Sequence, residues 1–184
     1  MRLLSVTQKY AGVIEVYDNA IETTAPLNYL KGNAHWEPAR VGAGEGELKL
    51  SNRDNAVTFF NPFDFRCHDV LRNFASHVWH YLDDYATRHD VTFSSMENVN
   101  VNRYYTGERY KPHADDGPGH NRIVSALVYM NDVEGGETDF IYHGVSVSPR
   151  AGRLVIFPSN YAYAHAAHPP TSGVKYSAAF WTGK

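Results

Sequence analysis

The chain of 184 residues has one cysteine, no long apolar run and no excess of basic charge. The single Cys67 cannot form an intrachain disulfide, which is typical of proteins from reducing compartments. No apolar run approaches the about 20 residues of a membrane-spanning helix. The short apolar start at residues 3–6 is soon followed by Gln8 and Lys9, which disfavours a signal peptide. The sequence therefore predicts a cytoplasmic protein.

The charge balance excludes further classes of partner. The chain has 17 basic and 20 acidic residues, for a formal net charge of −3. Nucleic acids and anionic membranes bind clustered basic charge, so we expect neither as a partner. The hydrophobic content of 43% suffices for one core, and we find no internal repeat. Length and composition together predict a single domain over residues 1–184.

The first half of the chain is predicted to contain helices that support the core, together with a loop and short strands. Residues 12–18 predict a strand, after which Asp18 or Asn19 could cap a helix that runs to about Leu30. Residues 31–56 are rich in glycine and lack a clear period, which predicts a loop or short hairpin. Residues 57–60 predict a short strand, and residues 65–88 predict a long helix because their apolar side chains recur at helical spacing.

The second half predicts many short strands. Alternation of apolar and polar residues predicts a strand at 99–104, and a long apolar run predicts a buried strand at 123–130. Gly and Pro turns separate further strands near 138–142, 145–148, 153–157, 160–166 and 174–182. Such a pattern indicates a mainly β fold with supporting helices (α+β), whose core is a double-stranded β-helix, the cupin-like jelly roll. We expect residues 1–95 to support the core and residues 96–184 to form it.

Two histidines and one aspartate are arranged to bind a metal ion. His113 and Asp115 are two residues apart, so on an extended strand both side chains point to the same side. His165 follows an apolar run and offers a third ligand. Two imidazoles and one carboxylate with open coordination positions suit non-haem Fe(II). Ten residues later, Lys175 lies in an apolar strand, where a cation is costly unless an anion meets it.

Several further residues of this half occur at spacings that are typical of one family. The order is Tyr104, Gly107, Tyr110, His113, Asp115, then Arg122 to Asn131, then Gly135, Gly136, Glu137 and Thr138, then His165 and Lys175. This order resembles the prolyl 4-hydroxylase group of Fe(II)/2-oxoglutarate dioxygenases over about the C-terminal half of the chain.

The resemblance implies an enzyme and its cofactors. It implies Fe(II), 2-oxoglutarate and O2, with ascorbate as a reductant, and it assigns His113, Asp115 and His165 as metal ligands and catalytic residues. Hydroxylation is expected because Asp115 keeps the carboxylate that related halogenases replace. The default substrate of the family is proline in a peptide or protein. The resemblance implies that this proline is hydroxylated while 2-oxoglutarate is converted to succinate and CO2.

The resemblance also implies roles for other side chains. Lys175 would bind the far carboxylate of 2-oxoglutarate, with Tyr129 and Tyr104 as further cosubstrate ligands. Tyr110 and Trp181 would line the substrate pocket, and the loop at 31–56 would be a lid. Tyr129, Tyr104 and Tyr110 could equally be packing residues. His168 offers a second imidazole near His165, but the ten-residue spacing to lysine favours His165, and His120 and His143 are predicted to lie on the surface.

Other functions stay open on the sequence alone. The substrate could be a free amino acid or another side chain, because the fold and cofactor site do not fix it. The chain could also be a non-catalytic sensor of 2-oxoglutarate or oxygen. A cupin-like zinc hydrolase or isomerase is a third possibility, but a zinc site gives no reason for the buried Lys175.

Overall fold

The computed structural model describes residues 5–40 and 53–184. This part of the chain contains two α-helices, α1 and α2, a short 3-10 helix (Tyr161–Tyr163) and thirteen strands, so the mainly β fold class is confirmed. The helices are α1 (Thr24–Asn33) and α2 (Asp69–His89). The strands are β1 (Gln8–Tyr10), β2 (Ile14–Tyr17), β3 (Glu37–Pro38), β4 (Ala56–Phe60), β5 (Ser95–Met96), β6 (Val99–Tyr105), β7 (Tyr110–His113), β8 (Arg122–Tyr129), β9 (Thr138–Phe140), β10 (Val145–Val147), β11 (Leu154–Pro158), β12 (His165–Ala167) and β13 (Val174–Gly183).

The strands form two antiparallel sheets that pack face to face. Within the described residues, the larger sheet has the order β1-β2-β11-β8-β13-β6-β4-β3, with β5 paired to β13, and the smaller sheet has the order β10-β9-β12-β7. Apolar side chains of both sheets meet between them, among them Val155 and Phe157 of the larger sheet and Phe140 of the smaller one. The predicted double-stranded β-helix is therefore confirmed.

The two faces of the larger sheet have different environments: one packs against the helices, and the other faces the smaller sheet and a cavity. On β6, Val99 and Val101 are fully buried in a core that also contains Phe74 and Val78 of α2. Because strand side chains alternate, the intervening residues of β6 point to the opposite face. The two helices therefore cover the outer face of the sheet, and the inner face is left to the smaller sheet and a cavity.

Both helices begin later than the sequence predicts. Asn19 has a left-handed backbone (φ 51°), and the backbone N–H groups of Ala20 and Ile21 both donate to Gly152, so α1 begins only at Thr24. Pro26 is tolerated because it lies in the first turn, where backbone N–H groups have no intrahelical partner. Helix α2 begins at Asp69, after His68 caps it by accepting from the N–H of Val70.

The predicted loop at residues 31–56 is only partly described. Residues 31–33 complete α1, and Glu37 and Pro38 form β3, which pairs with β4. Residues 41–52 lie outside the described residues, so the lid remains a prediction. No helix within residues 5–40 and 53–184 is long and apolar enough to cross a bilayer.

A buried ion pair fixes α2 to the edge of the larger sheet. Glu15 of β2 has no exposed surface, and Arg88 of α2 donates to both of its carboxylate oxygens at 2.7 Å. Burial raises the pKa of Glu15, but the hydrogen bonds from Arg88, Tyr17 and His89 outweigh it and lower the pKa to about 2. The helix is thereby held in register with the sheet.

Candidate metal centre and active site

The structure brings His113, Asp115 and His165 together at one end of the smaller sheet. His113 ends β7 and is the direct cross-strand partner of His165, the first residue of β12. Asp115 lies two residues beyond the end of β7 and not on the strand, which corrects the expected geometry of the His-x-Asp pair. One potential ligand atom from each residue lies within 4.8 Å of the other two.

The three side chains face a common gap instead of bonding one another. The Nε2 atom of His113 lies 3.8 Å from Asp115 Oδ1, and that of His165 lies 3.9 Å from Asp115 Oδ2. Both separations exceed a hydrogen bond. The gap between two imidazole nitrogens and a carboxylate fits a divalent transition metal, and this donor set is the one that Fe(II) oxygenases use.

Backbone carbonyls set the tautomer of both histidines. Nδ1 of His113 lies 2.9 Å from the carbonyl oxygen of Lys111, and Nδ1 of His165 lies 3.1 Å from that of Tyr163. A carbonyl oxygen only accepts, so each Nδ1 carries the proton and donates it. Each Nε2 therefore presents its lone pair to the gap, as a metal ligand requires.

The charge states of the cluster suit a cation. Burial lowers the pKa of His113 to about 3, with a further contribution from His165, so the ring is neutral at neutral pH. Burial raises the pKa of Asp115, but the two imidazoles and the hydrogen bond from Ser125 outweigh it, and the net pKa lies below its usual value. A neutral imidazole beside an ionised carboxylate binds a metal ion without first losing a proton.

Two buried serines hold the carboxylate of Asp115. Ser125 Oγ donates to Asp115 Oδ2 at 2.6 Å and lies 2.8 Å from Ser159 Oγ. Ser125 has a single hydroxyl hydrogen, which the ionised carboxylate receives, so Ser159 must be the donor in the second contact. The backbone carbonyl of Ser159 also accepts from the N–H of Asp116. Ser159 and Ser125 thus position both the carboxylate and its loop.

Ser125→Ala is expected to weaken metal binding by about 10–100-fold, the usual cost of removing a group that orients a ligand. The affinity is measured by calorimetric titration with Mn(II) or Co(II). Thr182→Val is the matched control, because it removes a buried hydroxyl that donates only to the carbonyl of Val124. Equal losses in both variants, or none in Ser125→Ala, would contradict the positioning role.

A cavity of about 1150 Å³ opens beside the cluster and is floored by the larger sheet. Its floor on β13 consists of alternate residues: Lys175, Ser177, Ala179 and Trp181. The two outer residues are large and the two inner ones are small. The small side chains leave room for a ligand between the ammonium group of Lys175 and the indole of Trp181.

Lys175 is a buried cation that forms no ion pair with any residue in the described part of the chain. Its side chain is 1% exposed, and Nζ donates to the carbonyl oxygen of Gly136 at 2.6 Å. Gly136 has φ +73°, and a Cβ atom there would lie 3.0 Å from Cδ of Lys175, so glycine allows this close approach. Burial lowers the pKa of Lys175 to about 7, although nearby Glu137 raises it. Such a group is suited to an anionic ligand.

The Michaelis constant for 2-oxoglutarate is expected to rise with pH above about 7. Below its pKa of about 7, Lys175 is charged in the free protein and ready for a dianion. Above it, binding must take up a proton, so the affinity falls by up to about tenfold per pH unit. Steady-state kinetics from one unit below to one unit above this pKa test the point. If this Michaelis constant did not change with pH in the wild type, as in Lys175→Met, the prediction would be contradicted.

The structure places Tyr104 and Tyr110 on the cavity wall. Tyr104 is buried, and its ring lies 5.1 Å from Nζ of Lys175. Burial raises its pKa to about 12, so the hydroxyl keeps its proton. The ring of Tyr110 stacks on that of His113, with centroids 3.5 Å apart, and carries the guanidinium of Arg53 at 4.6 Å. Tyr104 therefore lies at the Lys175 end of the cavity and Tyr110 beside the metal ligands.

Tyr129 lies behind the cavity and not on its wall. It is fully buried between the two sheets, and its hydroxyl lies 2.8 Å from Thr138 Oγ1 and 2.9 Å from the carbonyl oxygen of Val147. Thr138 lines the cavity, whereas Tyr129 does not. The packing role that the sequence left open for Tyr129 fits this position, while its ring also lies 5.5 Å from Nζ of Lys175.

Trp181 closes the end of the cavity nearest Asp115. The guanidinium of Arg122 stacks 3.8 Å above its ring, while Arg122 also donates to both carboxylate oxygens of Glu97 and to the carbonyl of Asp115. The indole N–H helps to lower the pKa of Asp115, yet it forms no well-aligned hydrogen bond within the described residues. Trp181 thus forms a wall of the cavity, and its indole N–H is available to donate a hydrogen bond.

The remaining histidines lie apart from the cluster. His168 is half-exposed and contacts Asp139 Oδ2 at 2.7 Å through Nε2. His143 stacks on Tyr163 and is partly buried, so its prediction as a surface residue is only partly met. His120 is also partly buried and lines the outer cavity.

Sequence reasoning missed the polar residues that support the site. Ser125 interrupts the apolar strand at 123–130, and this interruption was the available signal. Asn100 and Asn102 alternate with Val99 and Val101, which indicates one apolar and one polar face. No sequence pattern indicated the position of Arg53. Its side chain donates to Asn55, which belongs to no recognisable motif, and to Asn102, which is remote in sequence.

Comparison with protein families agrees with this geometry. Residues 99–183 match the model of the 2OG-Fe(II) oxygenase superfamily, and this segment holds all three potential metal ligands as well as Lys175. This part of the chain is therefore similar in sequence to that superfamily. The match covers slightly less than half of the chain and begins at β6.

Curated proteins with similar sequences include prolyl 4-hydroxylases. The chain is 36% identical over 107 residues to prolyl 4-hydroxylase subunit alpha-1 of Gallus gallus, a match that covers 48% of this chain and 21% of the relative. It is 37% identical over 79 residues to probable prolyl 4-hydroxylase 11 of Arabidopsis thaliana, covering 37% and 28%. The chain therefore spans well under half of either relative.

Solved structures share the fold over nearly the whole chain. The viral collagen prolyl hydroxylase of Paramecium Bursaria Chlorella virus-1, in its 2OG complex, superposes with a TM-score of 0.73 at 23% identity, covering 94% of this chain and 96% of that one. A prolyl hydroxylase of Trichoplax adhaerens, in complex with a hypoxia inducible factor peptide fragment, gives 0.78 at 17% identity, covering 94% and 84%. At these identities the likeness concerns the fold.

Proposed function

We propose that this chain is an Fe(II)- and 2-oxoglutarate-dependent dioxygenase that hydroxylates proline in a peptide or protein, with release of succinate and CO2. The observation that carries the proposal is the convergence of His113, Asp115 and His165 on a cavity whose far end holds the buried, unpaired cation of Lys175. The superfamily match and the prolyl 4-hydroxylase relatives support it.

The three metal ligands fit ferrous iron. His113 and His165 offer neutral Nε2 atoms, Asp115 offers an ionised carboxylate, and the open cavity leaves room for further ligands. When bound, iron supplies the activation of O2 that oxidises a C–H bond while 2-oxoglutarate loses CO2. We include ascorbate as a reductant in this proposal, on the resemblance alone.

The chain's own residues bind and orient the two organic substrates. Lys175 would meet the far carboxylate of 2-oxoglutarate, while Tyr104 offers a neutral hydroxyl beside it. The small side chains of Ser177 and Ala179 leave the space between Lys175 and the metal ligands that a five-carbon diacid needs. Trp181 and the stack of Tyr110 on His113 would hold the target ring against the cluster and exclude water.

The test is a panel of peptides and free amino acids, assayed with Fe(II), 2-oxoglutarate and ascorbate. We expect a proline-containing peptide to gain the mass of one oxygen atom, with one succinate formed per hydroxylation, and we expect a chelator to stop the reaction. Mass gain on free proline alone would exclude a peptide substrate. Turnover that survives removal of 2-oxoglutarate would favour a zinc hydrolase or isomerase, and 2-oxoglutarate binding without any turnover would favour a sensor.

A further inference from the structure

A row of asparagines lines the floor of the cavity along β6. Asn98 immediately precedes the strand, and Asn100 and Asn102 alternate on it with the buried Val99 and Val101. All three asparagines line the cavity, together with Tyr104 at the inner end of the same row. The row becomes steadily more buried inward: Asn98 is exposed, Asn100 is half-buried and Asn102 is buried.

The inner asparagine is engaged within the protein, but the outer two are free. Asn102 Oδ1 accepts from Arg53 at 2.7 Å and from Asn55 at 3.1 Å. Neither Asn98 nor Asn100 forms a side-chain hydrogen bond with any other described residue, although both line the cavity. Each free amide offers two N–H donors and one carbonyl acceptor. Two complete amide groups therefore face the cavity without a side-chain hydrogen-bond partner in the part of the chain that the structure describes.

The outer two asparagines lie beyond the reach of the cosubstrate. Lys175 is the cross-strand partner of Tyr104, and Asn98 is six residues further along the same strand, a distance of about 20 Å. A five-carbon diacid anchored at Lys175 spans only about 6 Å. Most of the row therefore faces the part of the cavity that is left for the other substrate.

The spacing and chemistry of the free amides match a polypeptide main chain. Residues two apart on a strand are about 6.7 Å apart, and a two-residue repeat measures about 6.2 Å in polyproline II and 6.7 Å in a strand. A carboxamide can donate to a peptide carbonyl and accept from a peptide N–H. On the neighbouring strand β4, Phe59 lies directly opposite Asn100 and is 53% exposed, which provides an apolar surface beside the row.

We propose that Asn98 and Asn100 bind the main-chain peptide groups of an extended polypeptide substrate and so determine that the protein acts on a chain and not on a free amino acid. This inference rests on the proposed function and names the residues that would recognise its substrate class. Because the amides bind the main chain, the protein is expected to have little preference for the side chains that flank the target proline. Asn98 and Asn100 instead select for the length of the peptide.

The experiment compares Asn98→Ala/Asn100→Ala with wild type on proline-containing peptides of three and nine residues. Two lost hydrogen bonds are expected to raise the Michaelis constant of the nine-residue peptide by roughly tenfold. The constants for the three-residue peptide and for 2-oxoglutarate are expected to stay unchanged, as is kcat. Asn73→Ala is the matched control, because Asn73 is exposed on α2, on the other side of the sheet.

A binding measurement separates this inference from the proposed function. Fluorescence anisotropy of a labelled nine-residue proline peptide with the metal-free protein needs no turnover, and the double variant is expected to bind it roughly tenfold more weakly than Asn73→Ala does. The inference is overturned if the two variants bind this peptide equally, if wild type prefers the shorter peptide, or if the double variant changes only the constant for 2-oxoglutarate. Wild type that binds the peptide through the asparagines without hydroxylating it supports the inference and contradicts the proposed function.

Discussion

His165→Ala is expected to lose metal binding and, with it, 2-oxoglutarate turnover. The variant removes one of three protein ligands, and Nε2 of His165 faces the gap that His113 and Asp115 share. Removing a group that merely orients a ligand costs about 10–100-fold in metal affinity, so removing the ligand itself must cost more than about 100-fold. Calorimetric titration with Mn(II) measures the affinity, and succinate formation at limiting Fe(II) measures the consequence.

His168→Ala is the matched control for this prediction. His168 is three residues from His165, is half-exposed and contacts only Asp139 among the described charged groups. Its removal is expected to leave metal affinity and turnover within about twofold of wild type, because an exposed ion pair contributes little. If His168→Ala lost activity and His165→Ala kept it, the assignment of the third ligand would be wrong.

The sequence predicted which side chains would converge better than it predicted where the helices begin. His113, Asp115, His165 and Lys175 follow family spacings, and antiparallel pairing of β7 with β12 brings the two histidines opposite each other. The start of α1 depended instead on Gly152, which lies far along the chain and holds Ala20 and Ile21 out of a helix. A local pattern cannot reveal a hydrogen bond that a distant turn supplies.

The same distinction explains which site residues were missed. Ser125 and Ser159 meet only because β8 and β11 pair, and their order of donation follows from the charge on Asp115. Tyr129 has the sequence position of a cosubstrate ligand; in the structure its hydroxyl contacts Thr138 and its ring lies 5.5 Å from Nζ of Lys175. Sequence alternation predicts the face on which a side chain lies. It does not predict what lies between that side chain and the cavity.

Lys175→Met is expected to weaken 2-oxoglutarate binding and at the same time to stabilise the ligand-free protein. Removing one partner of a buried charge pair costs about 2–5 kcal/mol, or roughly 30-fold to several thousand-fold in affinity. Without ligand, however, the carbonyl of Gly136 is the one hydrogen-bond partner of the ammonium group among residues 5–40 and 53–184, and burial of an unpaired cation is unfavourable. Methionine fills a similar volume without that cost.

The opposite signs of these two effects distinguish a ligand-binding lysine from a structural one. Kinetics with varied 2-oxoglutarate give the loss of affinity, and thermal unfolding without ligand gives the stability. Lys111→Met is the matched control, because Lys111 is exposed and lies two residues before His113; it is expected to change neither quantity. If Lys175→Met lowered the melting temperature and left the Michaelis constant for 2-oxoglutarate unchanged, the lysine would serve the fold. A higher melting temperature together with a lower affinity for 2-oxoglutarate would show that the protein retains an unfavourable buried charge because that charge binds the anion.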